Sequence, residues 1–346
     1  MLEILCEQIR TAQTPLRIRA GGSKDFYGQS IAGEILDVSR HRGIVSYEPG
    51  ELVLTAKCGT PLSEIETLLE QHGQMLAFEP PHFSSHATLG GTLACNLSGP
   101  RRPYAGSARD FVLGMDILDG NGQHLKFGGQ VIKNVAGYDA SRLMVGALGT
   151  LGVLLQASLK VLPKPQSELT LQFELDEASA LQRMNEWAGK PLPISASAWQ
   201  SGVLFVRLSG ANSAVIQAHA KLGGEPHLHG VEFWQHLRDH TAAFFMDAQP
   251  LWRLSLPSVA PALSLPGKQL IHWSGAERWL KSDAPANTLR AAAQTHGGHA
   301  TLFAGGDKSA GVFQRPPAAL MKYHARLKQQ FDPRGILNRG RLYPDF

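Results

Sequence analysis

Residues 80–110, PPHFSSHATLGGTLACNLSGPRRPYAGSARD, constrain the fold more than any other part of the chain. They carry few large side chains and little apolar periodicity, so they encode neither a striped helix nor an alternating strand. A loop this long inside a globular chain is disordered, an irregular surface loop, or ordered around a ligand that takes up its backbone polar groups. Its low charge density argues against disorder.

Two further glycine stretches flank it. In RIRAGGSKDFYG (17–28), Gly21-Gly22-Ser23-Lys24 follow an extended apolar run. They read either as a tight turn or as an anion cradle in which backbone N–H groups converge on phosphate oxygens and a lysine adds charge. In GALGTLGVLLQASLKVLP (146–163), Gly146, Gly149 and Gly152 resemble a dinucleotide fingerprint. Such a loop must open a helix, whereas this one leads into a β-rich run, so a nicotinamide-binding Rossmann domain is rejected.

Composition divides the chain. Of 36 glycines, 21 lie in residues 1–165, while all six tryptophans lie between Trp187 and Trp279. LPKPQSE (162–168) reads as the linker and Pro316-Pro317 as the opening of a last helix, AALMKYHARLKQQF. The expected units are residues 1–165, 166–315 and 316–346. In the first, EILDVS, ELVLTAKCG and DFVLGMDILDGNGQHLKFG read as strands, with a hairpin at Asp119-Gly120-Asn121-Gly122. PLSEIETLLEQHG reads as a helix capped by Ser63. The second unit mixes the strands LTLQFEL and VLFVRLSG with helices such as EFWQHLRDHTAAFF, and its tryptophans (Trp199, Trp234, Trp273) read as interface or, for most of them, core. This order fits α+β rather than repeating βαβ.

The net charge of +4 is the balance of 33 Lys and Arg against 29 Asp and Glu, and the basic residues are scattered, so nucleic acid is not an expected partner. Cys6, Cys58 and Cys95 are too far apart for a zinc or iron–sulfur motif and read as free thiols. MLEILCEQIRTA reads as an amphipathic helix and not a signal peptide. No uninterrupted apolar stretch is long enough to span a membrane.

IRAGGSKDFYG, the 80–110 loop, GGQVIKNVAGYDASRLMVGALGTLGVL and FDPRGILNRGRL together resemble the FAD-binding domain of the vanillyl-alcohol-oxidase/p-cresol-methylhydroxylase (PCMH) superfamily. Within it, GPRRPYAGSARDFVLG followed by KNVAGYDASRLMVGALGTLGVL is similar to the FAD-binding subunits of bacterial glycolate oxidases. The resemblance implies a PCMH-type domain of two α+β subdomains with FAD between them, plus a smaller α+β cap. It places Ala20, Gly21, Gly22, Ser23 and Lys24 around the diphosphate, and Thr88, Gly90, Gly91, Asn96 and Gly99 along the flavin and diphosphate. Gly106, Arg109 and Asp110 continue that wall. Gly149, Gly152 and Val153 match the adenine-side segment, and Asn338 the C-terminal return. With no His or Cys after the first glycines, FAD is expected to be non-covalent. Arg101 and Arg102 read as a solvated pair or a partner contact.

The resemblance also implies oxidation of an alcohol or 2-hydroxy acid, with hydride transfer to the flavin. Relatives carry L-W-x-x-R in the cap, whose arginine holds the substrate carboxylate; here LWRLS has Ser255 at that place. Arg253 lies two residues earlier, which on a helix would turn it to another face. The relatives' metal-binding run is replaced by HGGHATLFAGG, where His296 and His299 read as solvated or core histidines. Catalytic residues are therefore not assigned.

The implied role is that of an FAD-binding subunit of a glycolate oxidase complex. Its expected partners are a paralogous FAD-binding catalytic subunit, an iron–sulfur subunit and a small 2-hydroxy acid. The expected location is cytoplasmic, at most peripheral to the inner membrane through partners. Two rival readings are a stand-alone FAD-dependent D-2-hydroxy-acid dehydrogenase, with Arg253 or Arg207 anchoring the carboxylate, and a structural subunit with a vestigial flavin site.

Overall fold

The computed structural model describes residues 1–129 and 139–346. The KNVAGY stretch therefore lies outside the described residues. The N-terminal helix Leu2–Thr11 buries Leu5 and Ile9, one turn apart, as its amphipathic pattern requires. Each side chain contributes roughly 1.5–3 kcal/mol through burial. They pack with Leu16 and Leu36 of two short parallel strands, Leu16–Arg19 and Glu34–Asp37, and with Ile336 and Leu337 near the C-terminus.

A five-stranded antiparallel sheet follows, in the order Ile44–Glu48, Val53–Lys57, Val153–Lys160, Val112–Leu118, His124–Gly128. Its last two strands form the expected hairpin, where Asp119 Oδ1 accepts from the backbone N–H of Asn121 and Gln123. The helix Leu62–Glu70 lays Leu62, Ile65 and Leu69 on this sheet's core. It starts one residue before Ser63, with Pro61 at the cap position and no side-chain cap, so Ser63 is not the cap. Proline's fixed φ opens the helix without a hydroxyl.

The 80–110 stretch is not a continuous loop. It holds helix Leu89–Cys95 and the short turns Arg102–Ala105 and Ala108–Phe111. The Thr88 hydroxyl accepts from the Gly91 N–H to cap the first. A Cβ at Gly90 would stand 2.8 Å from the Cys58 Cβ, so the helix packs directly on the neighbouring backbone. Tertiary approach, rather than an apolar stripe, fixes it.

From Ser167 the chain builds an eight-stranded antiparallel sheet. The order is Glu225–Pro226, Ser167–Glu174, Val203–Gly210, Ile194–Gln200, Lys268–His272, Glu277–Lys281, Leu251–Ser255, His299–Ala304. One face is covered by helices Glu177–Ala188, Asn212–Leu222 and Ala286–Thr295. The other packs through Leu251, Leu270, Trp279 and Phe303 against Tyr27, Leu97 and Leu148 of the glycine-rich segments. The EFWQHLRDHTAAFF run is helical only over Gly230–Arg238, and a 3₁₀ turn follows at Ala243–Met246. Trp234 and Trp273 are buried, and Trp199 is half-buried. Helix Ala318–Phe331 follows Pro316-Pro317 as the sequence indicates. Its one buried residue, Lys328, donates to Thr150 O, Leu337 O and Asp332, which fixes the returning C-terminal segment.

Candidate active site

A cleft of ≈ 230 Å³ opens where the first glycine loop, helix Leu89–Cys95 and the Leu148–Gly152 turn converge. Ala20, Gly21, Gly22, Ser23, Lys24, Thr88, Gly90, Gly91, Gly149, Gly152 and Asn338 all line it. Residues more than 300 apart in sequence thus meet at one site. Gly21 admits no side chain, since a Cβ there would sit 1.6 Å from the His86 carbonyl oxygen. Gly22 turns the loop with φ +71°, a conformation that favours glycine. Asn338 Oδ1 accepts from the Ile18 N–H at 2.8 Å, and its Nδ2 donates to Leu148 O at 2.7 Å. This side chain holds the cradle strand and the Leu148 turn together.

The other site residues read from the sequence lie outside the cleft's lining. Asn96 Oδ1 accepts from the Arg109 N–H, and Arg109 Nη2 donates to Val145 O. Asp110 Oδ2 caps Ser107 through its N–H and hydroxyl, next to Gly106. Gly99 O accepts from Trp273 Nε1. Val153 opens a core strand.

Sequence reasoning missed the arginines. Arg17, Arg19 and Arg341 line the cleft with Lys24, while Asp25, which is paired with Arg19 at 2.7 Å, is the one acid in its lining among the described residues. Lys24 is 6% exposed, and its ammonium touches Ser23 Oγ at 3.3 Å. Burial pulls its pKa below the usual lysine range. Arg17 Nε is buried without a partner. Unpaired buried cations are costly unless an anion joins them. This donor set, together with backbone N–H groups at two glycines, fits a diphosphate, and the cleft therefore suits FAD. The alternation R-I-R before the double glycine was the available signal for Arg17 and Arg19; none marked Arg341.

Cys95 and Leu148 also line a neighbouring chamber of ≈ 480 Å³, with Tyr27, Arg253, His299 and Thr301. Burial raises the Cys95 thiol to about 11, opposed by Lys24, Arg341 and Arg253. LWRLS is a strand, Leu251–Ser255, and not a helix. A two-residue displacement along a strand keeps the same face, so Arg253 points to the side where Ser255 points. Arg253 Nη2 donates to the Tyr27 hydroxyl at 3.2 Å, and its Nε is buried without a partner. His299 faces Ser255 across the strand pair. Burial, then Arg253, lowers its pKa below the usual imidazole value. His296 instead ends a helix, with its ring nitrogen on Ala292 O.

Two arginine expectations change. Arg207 Nη2 bonds Glu79 at 2.7 Å and its Nε bonds Ser195, so it is committed elsewhere and does not reach the chamber. Arg101 and Arg102 are not a solvated pair. Arg101 is buried against Glu79 and Glu168, and Arg102 stacks on Trp273 at 4.3 Å. Glu79, Glu168 and Trp273 lie on other segments of the chain, so a local reading of GPRRP does not contain them.

Residues 2–128 match the family model described as FAD binding domain. The chain is 51% identical over 346 residues to the glycolate oxidase subunit GlcE of Escherichia coli (strain K12), covering 99% of this chain and 97% of that one. It is 31% identical over 195 residues to the glycolate oxidase subunit GlcD of Bacillus subtilis (strain 168), spanning 39% of that protein's length. In fold it is similar to alkyldihydroxyacetonephosphate synthase, with a TM-score of 0.65 and 15% identity over 97% of this chain and 73% of that one. Cradle, cations and architecture define an FAD-binding oxidoreductase subunit of the PCMH type, which holds its flavin non-covalently. Within that class the chain belongs to the GlcE family of glycolate oxidase subunits. Among the described residues no helix is long and apolar enough to cross a membrane.

Proposed function

We propose that this chain is the FAD-binding subunit of a glycolate oxidase complex and oxidises glycolate, or a related D-2-hydroxy acid, to the 2-oxo acid. A paralogous flavin subunit and an iron–sulfur subunit that takes the electrons onward are its partners in this reading. The observation that carries it is Arg253, a half-buried guanidinium that lines a chamber sharing Cys95 and Leu148 with the FAD cleft.

In the cleft, the backbone from Ala20 to Lys24 holds the diphosphate, with Arg17, Lys24 and Arg341 supplying charge. Thr88, Gly90 and Gly91 form the flavin wall, and Gly149 and Gly152 the adenine side. Asn96, Gly99, Gly106, Arg109, Asp110 and Val153 support these walls from behind. Bound FAD supplies the hydride acceptor. In the chamber, Arg253 anchors the substrate carboxylate as a bidentate donor. His299, its pKa lowered by partial desolvation and by Arg253, accepts the hydroxyl proton as the C–H hydride leaves.

The test is an absorbance spectrum of the purified chain, followed without oxygen through addition of glycolate and then D-lactate. Bleaching that is lost in Arg253→Met supports the reading. Bound flavin that stays oxidised with both acids overturns substrate oxidation by this chain and leaves an electron-relaying or structural subunit.

A further inference from the structure

A third, much smaller cavity of ≈ 20 Å³ lies between the eight-stranded sheet and the segment around Pro81 and Leu97–Pro100. Its lining includes Arg253, His272, Glu277 and Trp279. Three of these carry a buried nitrogen that no protein atom satisfies: Arg253 Nε, His272 Nε2 and Trp279 Nε1. Glu277 is a carboxylate whose side chain is 4% exposed. Its ion-pair contact is His272 Nδ1 at 3.6 Å, too long for a good hydrogen bond.

The strand register brings these groups together. Arg253 faces Trp279, while Glu277 faces Ser255 on one side and His272 on the other. Arg253 and Glu277 are therefore diagonal neighbours on one sheet face, within reach of two long side chains. Arg238 also lines the cavity, but its guanidinium is held by Asp239 at 2.7 and 3.1 Å. Among the described residues, Glu277 is the one acid lining either of the two cavities that Arg253 bridges. The volume admits about one water, and the lining offers the two to four polar partners such a water needs.

We propose that this cavity is a built water site through which Glu277 acts as the counter-charge of Arg253, so that a carboxylate entering the chamber competes with Glu277 for the guanidinium. The water accepts from Arg253 Nε and Trp279 Nε1 and donates to the Glu277 carboxylate. Glu277 is thereby a positioning residue: it holds Arg253 in the absence of substrate and tempers its grip on an anion. The inference rests on Arg253 being the anion anchor.

The test is a calorimetric titration of the full, FAD-loaded chain with oxalate. Glu277→Gln keeps the shape of the side chain and removes its charge, so oxalate is expected to bind about tenfold more tightly. A merely structural role would lower stability without tightening binding. Unchanged or weaker binding in Glu277→Gln, with binding lost in Arg253→Met, overturns the counter-charge role and leaves the anchor standing. Full oxalate binding in Arg253→Met overturns the anchor itself. Should Glu277→Gln fail to fold, a crystal structure of the unmutated chain decides. A water within hydrogen-bond distance of both Glu277 and Arg253 Nε supports the inference, and its absence there overturns it.

Discussion

Lys24→Met is expected to move stability and cofactor affinity in opposite directions. The ammonium of Lys24 is almost fully buried, touches one hydroxyl and lies 5.6 Å from the centre of the Phe83 ring. Without an anion it carries an uncompensated desolvation cost, offset in part by a ring contact of about 0.5–2 kcal/mol. A methionine of similar length removes that cost, so the FAD-free protein is expected to gain on the order of 1 kcal/mol. With the diphosphate in place, the lost charge-assisted bond is worth about 1.5–3 kcal/mol. At about 1.4 kcal/mol per decade this weakens FAD binding roughly 10- to 150-fold. The sign with pH follows from burial, which lowers the lysine's folded-state pKa below 10.5. Between that lowered value and 10.5 the unfolded chain holds the extra proton, so the FAD-free protein gains stability as pH rises through the window. Lys24→Met lacks this gain. The assays are urea unfolding of the deflavinated chain across pH and a flavin-fluorescence titration. A destabilised FAD-free variant with unchanged FAD affinity would refute the reasoning.

Glu79→Gln is expected to cost about 1–3 kcal/mol in urea unfolding, because it leaves Glu168 as the remaining carboxylate for the buried Arg101 and Arg207; Glu79 Oε1 serves both guanidinium groups, and Oε2 accepts from the Arg101 N–H. A loss below about 1 kcal/mol would mean that Glu168 alone carries the network. Asn338→Ala removes the bonds to Ile18 N and Leu148 O, so stability is expected to fall by about 1–3 kcal/mol and FAD binding to weaken with it. Unaltered FAD affinity would show that the cradle strand keeps its place without this tie.

Local sequence carried the elements whose physics is local. The i, i+4 pair Leu5 and Ile9, the Asp119–Gly122 hairpin, the proline-opened last helix and the strand after Gly152 all follow from period, turn chemistry or φ restriction. The first glycine loop alone read as a tight turn or an anion cradle, and the family resemblance implied the cradle. What the sequence left open was decided by partners far along the chain. Helix Leu89–Cys95 exists because Gly90 can lie on Cys58, and the cleft's positive charge is completed by Arg341. Arg101 and Arg207 are drawn into one buried ion network by Glu79 and Glu168, which lie on different segments. Arg253 faces the chamber beside the FAD cleft because LWRLS pairs as a strand between Glu277–Lys281 and His299–Ala304; as a helix its face would have differed. Backbone geometry and apolar period are short-range and readable from neighbours. Charge compensation and the choice of a strand's face depend on what packs against it, which only the tertiary structure supplies.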